Sequence, residues 1–403
     1  MRNLLFVSSN DINPLNGGID RVIDVLAGEF SRHPEYNCFL AYFQDLPGSS
    51  TAFKKKMKID RKHAEQTCRD FIVANHIHII LVNILVASNF KFILPILYAI
   101  AKEQALCKIV FVYHNQPGFE KEKMKIDVYL HRIFRGKDRV SNLKNLAIQI
   151  ITGFCGEKTV RKCFREKYRL IYRYSDKIVL LAPSHFPLFA FCADIPVDDK
   201  LVAIGNFLSF PAAIGKDEIK EKDKTVLIVS RMEEKQKRIS LALKIWENIE
   251  KLNIHQEWKL IILGSGIDET YYRKTAEKKQ LKRVSFEGAH LPEAWYRKSS
   301  IFMMTSAYEG FPLILTESLQ MGVLPVAFDS FSALHDIITD GYNGFIIPNN
   351  DITAYTNQLL QLMDSEEQRL SIARNAIDSS KTFELSGIVE QWFGLFNELF
   401  QTK

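Results

Sequence analysis

The sequence predicts an α/β chain of two doubly wound parallel units, and three observations carry that expectation. A chain of 403 residues is longer than one hydrophobic core usually serves. Its β-rich apolar runs lack inside-out alternation, as strands buried on both faces of a parallel sheet do, and they alternate with helical patterns. A polar stretch, Ser209 to Lys224, carries no apolar period, and the strand-helix alternation restarts after it.

In the first half the predicted strands are Asn3–Ser9, Asn37–Phe43, Ile77–Asn83, Lys108–Asn115, Asp176–Pro183 and Lys200–Asn206, with helices from about Ile19 and near Lys62–Ala74. After the linker come strands at Thr225–Ser230, Trp258–Gly266, Arg283–Gly288, Ile301–Ser306 and Val323–Phe328. Helices are expected at Arg238–Lys251, up to about Lys279, at Pro292–Lys298 and near Leu313–Met321. Glu384–Phe400 is amphipathic, with Ile388, Trp392, Leu395, Phe396 and Leu399 on one face. The expected boundaries are therefore 1–208, a linker at 209–224, 225–382, and a closing helix at 383–403.

With 47% hydrophobic and 25% charged residues, the composition is that of a globular protein. The most apolar stretch, Phe71–Ala101, is interrupted by His76, His78, Asn83, Asn89 and Lys91, short of the ~18 apolar residues that a membrane span needs. The N-terminal apolar run lacks signal-peptide features, so the expected location is the cytoplasm. The six cysteines lie far apart without Cys-x-x-Cys spacing, which argues against a zinc site or disulfide framework. Net charge is +6, and Glu120–Arg173 alone holds 15 cations against 6 carboxylates. Such a segment suits an anionic surface at the inner face of the cytoplasmic membrane, and equally a solvated helical insertion. No nucleic-acid module accompanies it.

Ligands of doubly wound folds settle beyond the carboxyl ends of the strands, and two units facing each other would share a cleft there. After the first strand, Gly17-Gly18 open a helix where backbone N–H groups approach an anion or sugar; a plain turn also accounts for the pair. The absence of GxGxxG argues against nicotinamide dinucleotides. His114 and Asn115 follow a strand as hydroxyl partners, His114 equally as a structural hydrogen-bonding residue. Arg231 and Lys237 place cations where a diphosphate fits near a helix start, with Lys235 and Arg238 competing and a solvated turn as the alternative. Gly264 permits close backbone contact, and the loop at His290-Leu291 offers backbone to a base edge. In "YEGFPLILTES", Glu309 and Glu317 flank an apolar run, and a carboxylate reads a vicinal diol through short charge-assisted hydrogen bonds.

Glu309 and Glu317 with seven residues between them, in the setting "SAYEGFPLILTESLQMGVLPVAFD", resemble the E-x7-E motif of the retaining glycosyltransferases of family 4, which have the GT-B fold of two Rossmann-like domains. "NGGIDRV", "SRMEEKQKRI", "LGSG" and "DGYNGFIIPNND" are similar to further family segments. Asp20 replaces the usual Glu, Ser230 a Gly, and the Arg-to-Lys spacing is one residue longer than the commonest form. The resemblance implies a hexose contact for Glu309, a ribose contact for Glu317 and a diphosphate contact for Arg231 and Lys237. It adds Gly264, His290, Leu291, Gly310, Phe311, Pro312 and Leu313 to the donor side, with Gly17, Gly18 and His114 completing the site and Asn16 and Asn115 meeting the acceptor. It further implies a UDP- or GDP-sugar co-substrate, a saccharide or lipid-linked saccharide acceptor of bacterial surface glycan synthesis, and no metal, since no D-x-D motif is present. Two rivals stand beside it: a nucleotide-sugar epimerase of similar architecture, and a membrane-docking nucleotide-sugar-binding protein with a degenerate site.

Overall fold

In the computed structural model, residues 1–14, 17–47, 49–84, 90–104, 107–120 and 156–401 are described. The chain divides into two compact units, one of Met1–Gly118, Cys155–Phe207 and Leu385–Lys403, the other built on Leu208–Glu384.

The first unit's sheet holds β1 (Arg2–Asn10), β2 (Tyr36–Gln44), β3 (Lys55–Lys58), β4 (Ile77–Asn83), β5 (Lys108–Tyr113), β6 (Lys177–Leu180) and β7 (Leu201–Ala203), in the order β3-β2-β1-β4-β5-β6-β7. Every pairing is parallel. Helices α1 (Gly18–Arg32), α2 (Ala64–Ala74), α3 (Phe90–Glu103), α4 (Gly156–Arg173) and α5 (His185–Ala193) join the strands. The second sheet holds β8 (Asp223–Val229), β9 (Lys259–Leu263), β10 (Val284–Gly288), β11 (Ser299–Met304), β12 (Leu324–Asp329) and β13 (Phe345–Pro348), also all parallel, in the order β10-β9-β8-β11-β12-β13. Its helices are α6 (Glu234–Lys237), α7 (Ile239–Lys251), α8 (Glu269–Lys278), α9 (Glu293–Lys298), α10 (Leu313–Gln320), α11 (Leu334–Ile337), α12 (Ile352–Asp364) and α13 (Glu366–Ser380). The two-unit α/β class read from the sequence is what the chain adopts.

The unalternating strands are the physical reason. Leu4, Leu5, Phe6 and Val7 of β1 are all buried in succession because helices cover both faces of the sheet. Helix α1 answers from one side with Val22, Ile23, Leu26, Ala27 and Phe30, spaced to line one face. Two strands escaped the sequence reading, β3 and β13. β3 is four residues of Lys-Lys-Met-Lys at the sheet edge, where lysines discourage further strand pairing and hide the apolar signal of a strand.

Each sheet order reverses once, between β1 and β4 and between β8 and β11. Connections leave on opposite faces at such a point, so the loops beyond the two carboxyl ends part and leave room for a ligand.

The linker stretch is strapped onto the second unit. Gln320, at the end of α10, donates through Nε2 to Phe210 O at 2.7 Å and accepts from Phe210 N at 3.2 Å. Phe210 meets the Tyr296 ring edge-on at 5.8 Å, and Ile214 and Ile219 are buried. These few apolar side chains do not form a periodic pattern, so the surrounding charges masked them.

The closing helix, α14 (Leu385–Glu398), belongs to the first unit. Trp392 and Phe396 stand edge-on to Phe30 at 6.2 and 5.4 Å, and Phe393 stacks on Tyr36 at 4.7 Å. Lys177 Nζ reaches Glu398 at 2.6 Å. Burial of such an aromatic side chain contributes about 2 kcal/mol, and the ring geometry adds to it. Trp392→Ala should therefore lower the stability of the first unit by about 3 kcal/mol, measured as a fall in its denaturant midpoint; an unchanged midpoint would refute this packing.

Candidate functional site

The second unit assembles its polar residues where β8 and β11 end side by side. The register pairs Ile301 with Val226 and Phe302 with Leu227, so the strands finish level at Met304 and Val229. Ser230–Lys237 continues from one strand and Thr305–Pro312 from the other.

Across that junction Lys237 Nζ donates to Glu309 Oε1 at 2.5 Å, both side chains being 10% exposed. A charge withdrawn from water costs several kcal/mol, and each partner offsets the other's loss. Gln236 accompanies them. Its Nε2 lies 3.3 Å from Tyr308 O and 3.4 Å from Glu309 Oε2, its carbonyl accepts from Ala307 N at 2.7 Å, and its Oε1 accepts from Arg231 Nη2 at 3.3 Å. Gln236 thus links Arg231 to Glu309, a role the sequence reading missed because an uncharged residue in a run of cations gives no signal.

The rival cations separate clearly. Arg238 is spent on the fold: it donates to Thr305 O at 2.7 Å, Ser306 O at 2.7 Å, Asn350 Oδ1 at 2.7 Å and Asn349 Oδ1 at 3.0 Å. Arg231 is exposed, with guanidinium donors facing solvent beside the pair. The helix start expected at Lys237 is corrected. Lys237 ends the four-residue turn α6, Arg238 follows in the left-handed region at φ 49°, and α7 begins at Ile239. Lys237 thus closes the short turn, and the start of α7 lies beyond it. The N-terminus that does lie beside the pair is that of α10, capped by Pro312 after Glu309, Gly310 and Phe311.

Glu317 lies within α10 at 1% exposure, which rules out an ordinary surface position. Phe311 is also buried, edge-on to Phe383 at 5.6 Å. Leu313 is half-buried at the first turn.

Gly264 has φ +134°, and a Cβ there would lie 1.9 Å from Ser230 O; at Gly266 it would lie 2.4 Å from Met232 O. The loop after β9 therefore presses backbone to backbone on the loop carrying Arg231, through Met232 N to Ser265 O at 2.8 Å and Ser230 N to Leu263 O at 2.9 Å. Asp268, fully buried, accepts from Glu234 N at 2.8 Å and fixes the start of α6. His290 and Leu291 stand exposed in the loop after β10, Leu291 at 88%.

In the first unit, Gly17 precedes α1 with extended backbone and nothing within 4 Å of an added Cβ, so neither backbone nor packing requires glycine. What the missing side chain leaves open is the approach to the N-terminus of α1, where Gly18 is the first residue. His114 Nε2 lies 2.8 Å from Asn83 Oδ1, while Asn83 Nδ2 donates to Leu81 O at 3.1 Å. The second bond orients the amide, so Nε2 carries the imidazole proton and Nδ1 remains an acceptor. Burial holds the His114 pKa down at about 4, keeping the ring neutral. Asn115 follows, half-buried. Asn16 and residues 121–155 of the cationic segment lie outside the described residues.

Residues 209–379 match the family model for glycosyl transferases group 1. The amylovoran biosynthesis glycosyltransferase AmsD of Erwinia amylovora is 30% identical over 276 residues, covering 66% of this chain and 73% of that protein. The chain belongs to the group 1 glycosyl transferases. Another relative of this transferase is the Campylobacter jejuni enzyme named GalNAc-α-(1→4)-GalNAc-α-(1→3)-diNAcBac-PP-undecaprenol α-1,4-N-acetyl-D-galactosaminyltransferase, 28% identical over 59% of this chain and 64% of its own length. Among solved structures, HepE of Anabaena in complex with UDP-glucose superposes with TM-score 0.69 at 14% identity, over 99% of this transferase and 100% of that chain. At that identity the likeness establishes the GT-B fold.

The neutral histidines of the transferase give it an acid limit. His185, buried without a hydrogen-bond partner for either ring nitrogen among the described residues, is likewise held at about 4. An unfolded histidine takes up its proton near pH 6.5, but the folded rings resist until about 4. Their contribution is therefore complete above pH 6.5 and falls away as the pH drops toward 4. The apparent Tm should decline across that window, and His114→Asn should decline less; parallel curves would contradict the assignment.

Proposed function

We propose that this transferase moves a hexose-type sugar from a UDP- or GDP-sugar to a saccharide acceptor, with retention at the anomeric carbon, during assembly of a bacterial surface polysaccharide. The observation that carries the reading is the buried Lys237–Glu309 pair at the junction of β8 and β11. Departure of a nucleoside diphosphate develops negative charge on its phosphates. Lys237, already held in place by Glu309, keeps two further N–H donors for those oxygens, and Arg231 supplies a second, exposed cation. Glu309 retains lone pairs for the hexose hydroxyls, and backbone N–H groups near the start of α10, at Gly310, Phe311 and Leu313, face developing anionic charge. Pro312 contributes shape alone, having no N–H.

In this reading Glu317 takes the ribose, as the E-x7-E pattern of family 4 implies. The flat Gly264 turn and the exposed His290-Leu291 loop receive the base. From the first unit, neutral His114 accepts from a sugar hydroxyl through Nδ1, Asn115 and Asn16 meet the acceptor, and the open N-terminus of α1 at Gly17-Gly18 receives the donor. The names of the relatives favour a polysaccharide or lipid-linked acceptor: an amylovoran enzyme and an undecaprenol-linked GalNAc transferase. HepE, solved with UDP-glucose, favours a UDP-sugar. Because two protein cations neutralise the leaving group, no metal is assigned a part.

The test is sugar transfer from a panel of UDP- and GDP-sugars to undecaprenyl-diphosphate-linked acceptors. Glu309→Gln and Lys237→Ala should each lose about 100-fold or more in rate while transfer survives EDTA, and NMR of the product should show the donor's anomeric configuration. An epimerised sugar formed without acceptor, or wild-type rates in both variants, would sink the reading.

A further inference from the structure

The first unit holds a cavity that the chemistry proposed above does not use. It lies between the sheet and α1, reaches the strand ends, and measures about 20 Å³. The two-residue period of a strand puts Leu81 and Asn83 of β4 on one face, and Val112 and His114 at the end of β5 likewise. Each strand therefore adds one apolar side chain to the cavity and one polar side chain at its rim. Leu26 and Phe30 of α1 and Trp392 of α14, all buried, complete the apolar lining.

Volume and chemistry together narrow the guest. The cavity exceeds the ~10–15 Å³ that lodges one water-sized group, so a methyl fits and an acyl or prenyl chain does not. A charged group would lose its hydration against such a lining without repayment. At the rim, His114 Nε2 donates to Asn83 Oδ1 at 2.8 Å, and Asn83 Nδ2 is spent on Leu81 O at 3.1 Å. Nδ1 of the neutral ring is left as an acceptor, with no hydrogen bond among the described residues. The rim therefore calls for an N–H or O–H donor carried beside a methyl.

Few sugar substituents meet both demands. A hydroxyl satisfies Nδ1 and leaves the cavity unfilled. The methyl of a deoxy sugar fills the cavity and brings no donor. An acetamido group supplies both, and because its amide is trans, the N–H and the methyl lie on the same side, opposite the carbonyl. They can address one wall together.

We propose that the sugar meeting His114 is an acetamido sugar, its amide N–H donated to His114 Nδ1 and its methyl lodged among Leu26, Leu81 and Val112. This rests on the glycosyl-transfer reading above, with an amide in place of a hydroxyl at Nδ1. Donor and acceptor sugars offer the same chemistry, and the two arms of the experiment tell them apart.

The experiment measures kcat/KM of the full chain. One arm compares UDP-GlcNAc and UDP-GalNAc with UDP-glucose and UDP-galactose; the other compares undecaprenyl-diphosphate-linked GlcNAc and GalNAc acceptors with their glucose and galactose counterparts. In one arm the acetamido sugar should be favoured at least tenfold, and its N-propionyl analogue, one methylene larger, should fall at least tenfold below it. Leu26→Phe, which fills the cavity, should cut the acetamido-to-hydroxyl ratio at least tenfold, and Leu26→Ala should raise the N-propionyl sugar relative to the N-acetyl one. The wild-type comparison stands whether or not either variant folds. No acetamido preference in either arm, or an N-propionyl sugar used as well as the N-acetyl one, overturns the proposal and leaves the cavity a packing void. Failure of the transferase reading looks different, since neither arm then gives product. Saturation-transfer NMR of the wild type with UDP-GlcNAc and with methyl N-acetylglucosaminide then decides the cavity by itself: the acetyl methyl gives the strongest sugar signal if it is lodged there, and a signal no stronger than the ring protons overturns the proposal.

Discussion

The contact between Lys237 and Glu309 organises the second unit's polar apparatus. Two opposite charges, each nine-tenths withdrawn from water, hold one another at 2.5 Å between loops that are 72 residues apart in sequence. Either alone would be an uncompensated buried ion, a state that costs several kcal/mol. Together they fix the height of the loop after β11 against the loop after β8. Gln236 and Arg238 extend the same stitching through backbone carbonyls on the β11 side. A lysine restrained in this manner offers its remaining donors in a set direction, the preorganisation that the proposed stabilisation of a departing diphosphate calls for.

That contact depends on sheet topology. Because the strand order reverses between β8 and β11, the loops beyond these two strands meet at a gap rather than being bridged by a helix on one face. Glycine then sets the floor of the site: at Gly264 and Gly266 any side chain would collide with the backbone of Ser230 and Met232. The first unit repeats the plan at β1 and β4 with different contents. There Asn83 ends β4 and neutral His114 follows β5, the two joined by a hydrogen bond, while Gly17 precedes α1 with nothing within 4 Å of an added Cβ. At its strand ends the second unit gathers cations and a carboxylate, whereas the first gathers the neutral hydrogen-bonding pair of Asn83 and His114.

Much of this was legible beforehand. Strands such as Leu4 to Val7 announce a parallel sheet because burial on both faces removes any alternation, and the burial of Glu317 followed from the apolar sequence around it. The errors have a common cause. Lys237 was placed at a helix start because cations and an apolar period seemed to share one boundary, whereas Arg238 adopts a left-handed conformation and divides them. The linker's contacts gave no signal because two isoleucines and a phenylalanine among charges carry no period, yet Gln320 needs only backbone and a little apolar contact to hold it. The motif does not show that the Phe311 ring packs edge-on against Phe383.

Sequence alone settled the fold class, the order of most elements and the residue types available for chemistry, because burial periodicity and turn residues are local properties written along the chain. Tertiary structure decided which of four neighbouring cations meets Glu309 and which glycines are sterically required. Those outcomes turn on distances between segments far apart in sequence, and only the parallel pairing of β8 with its neighbours β9 and β11 fixes them.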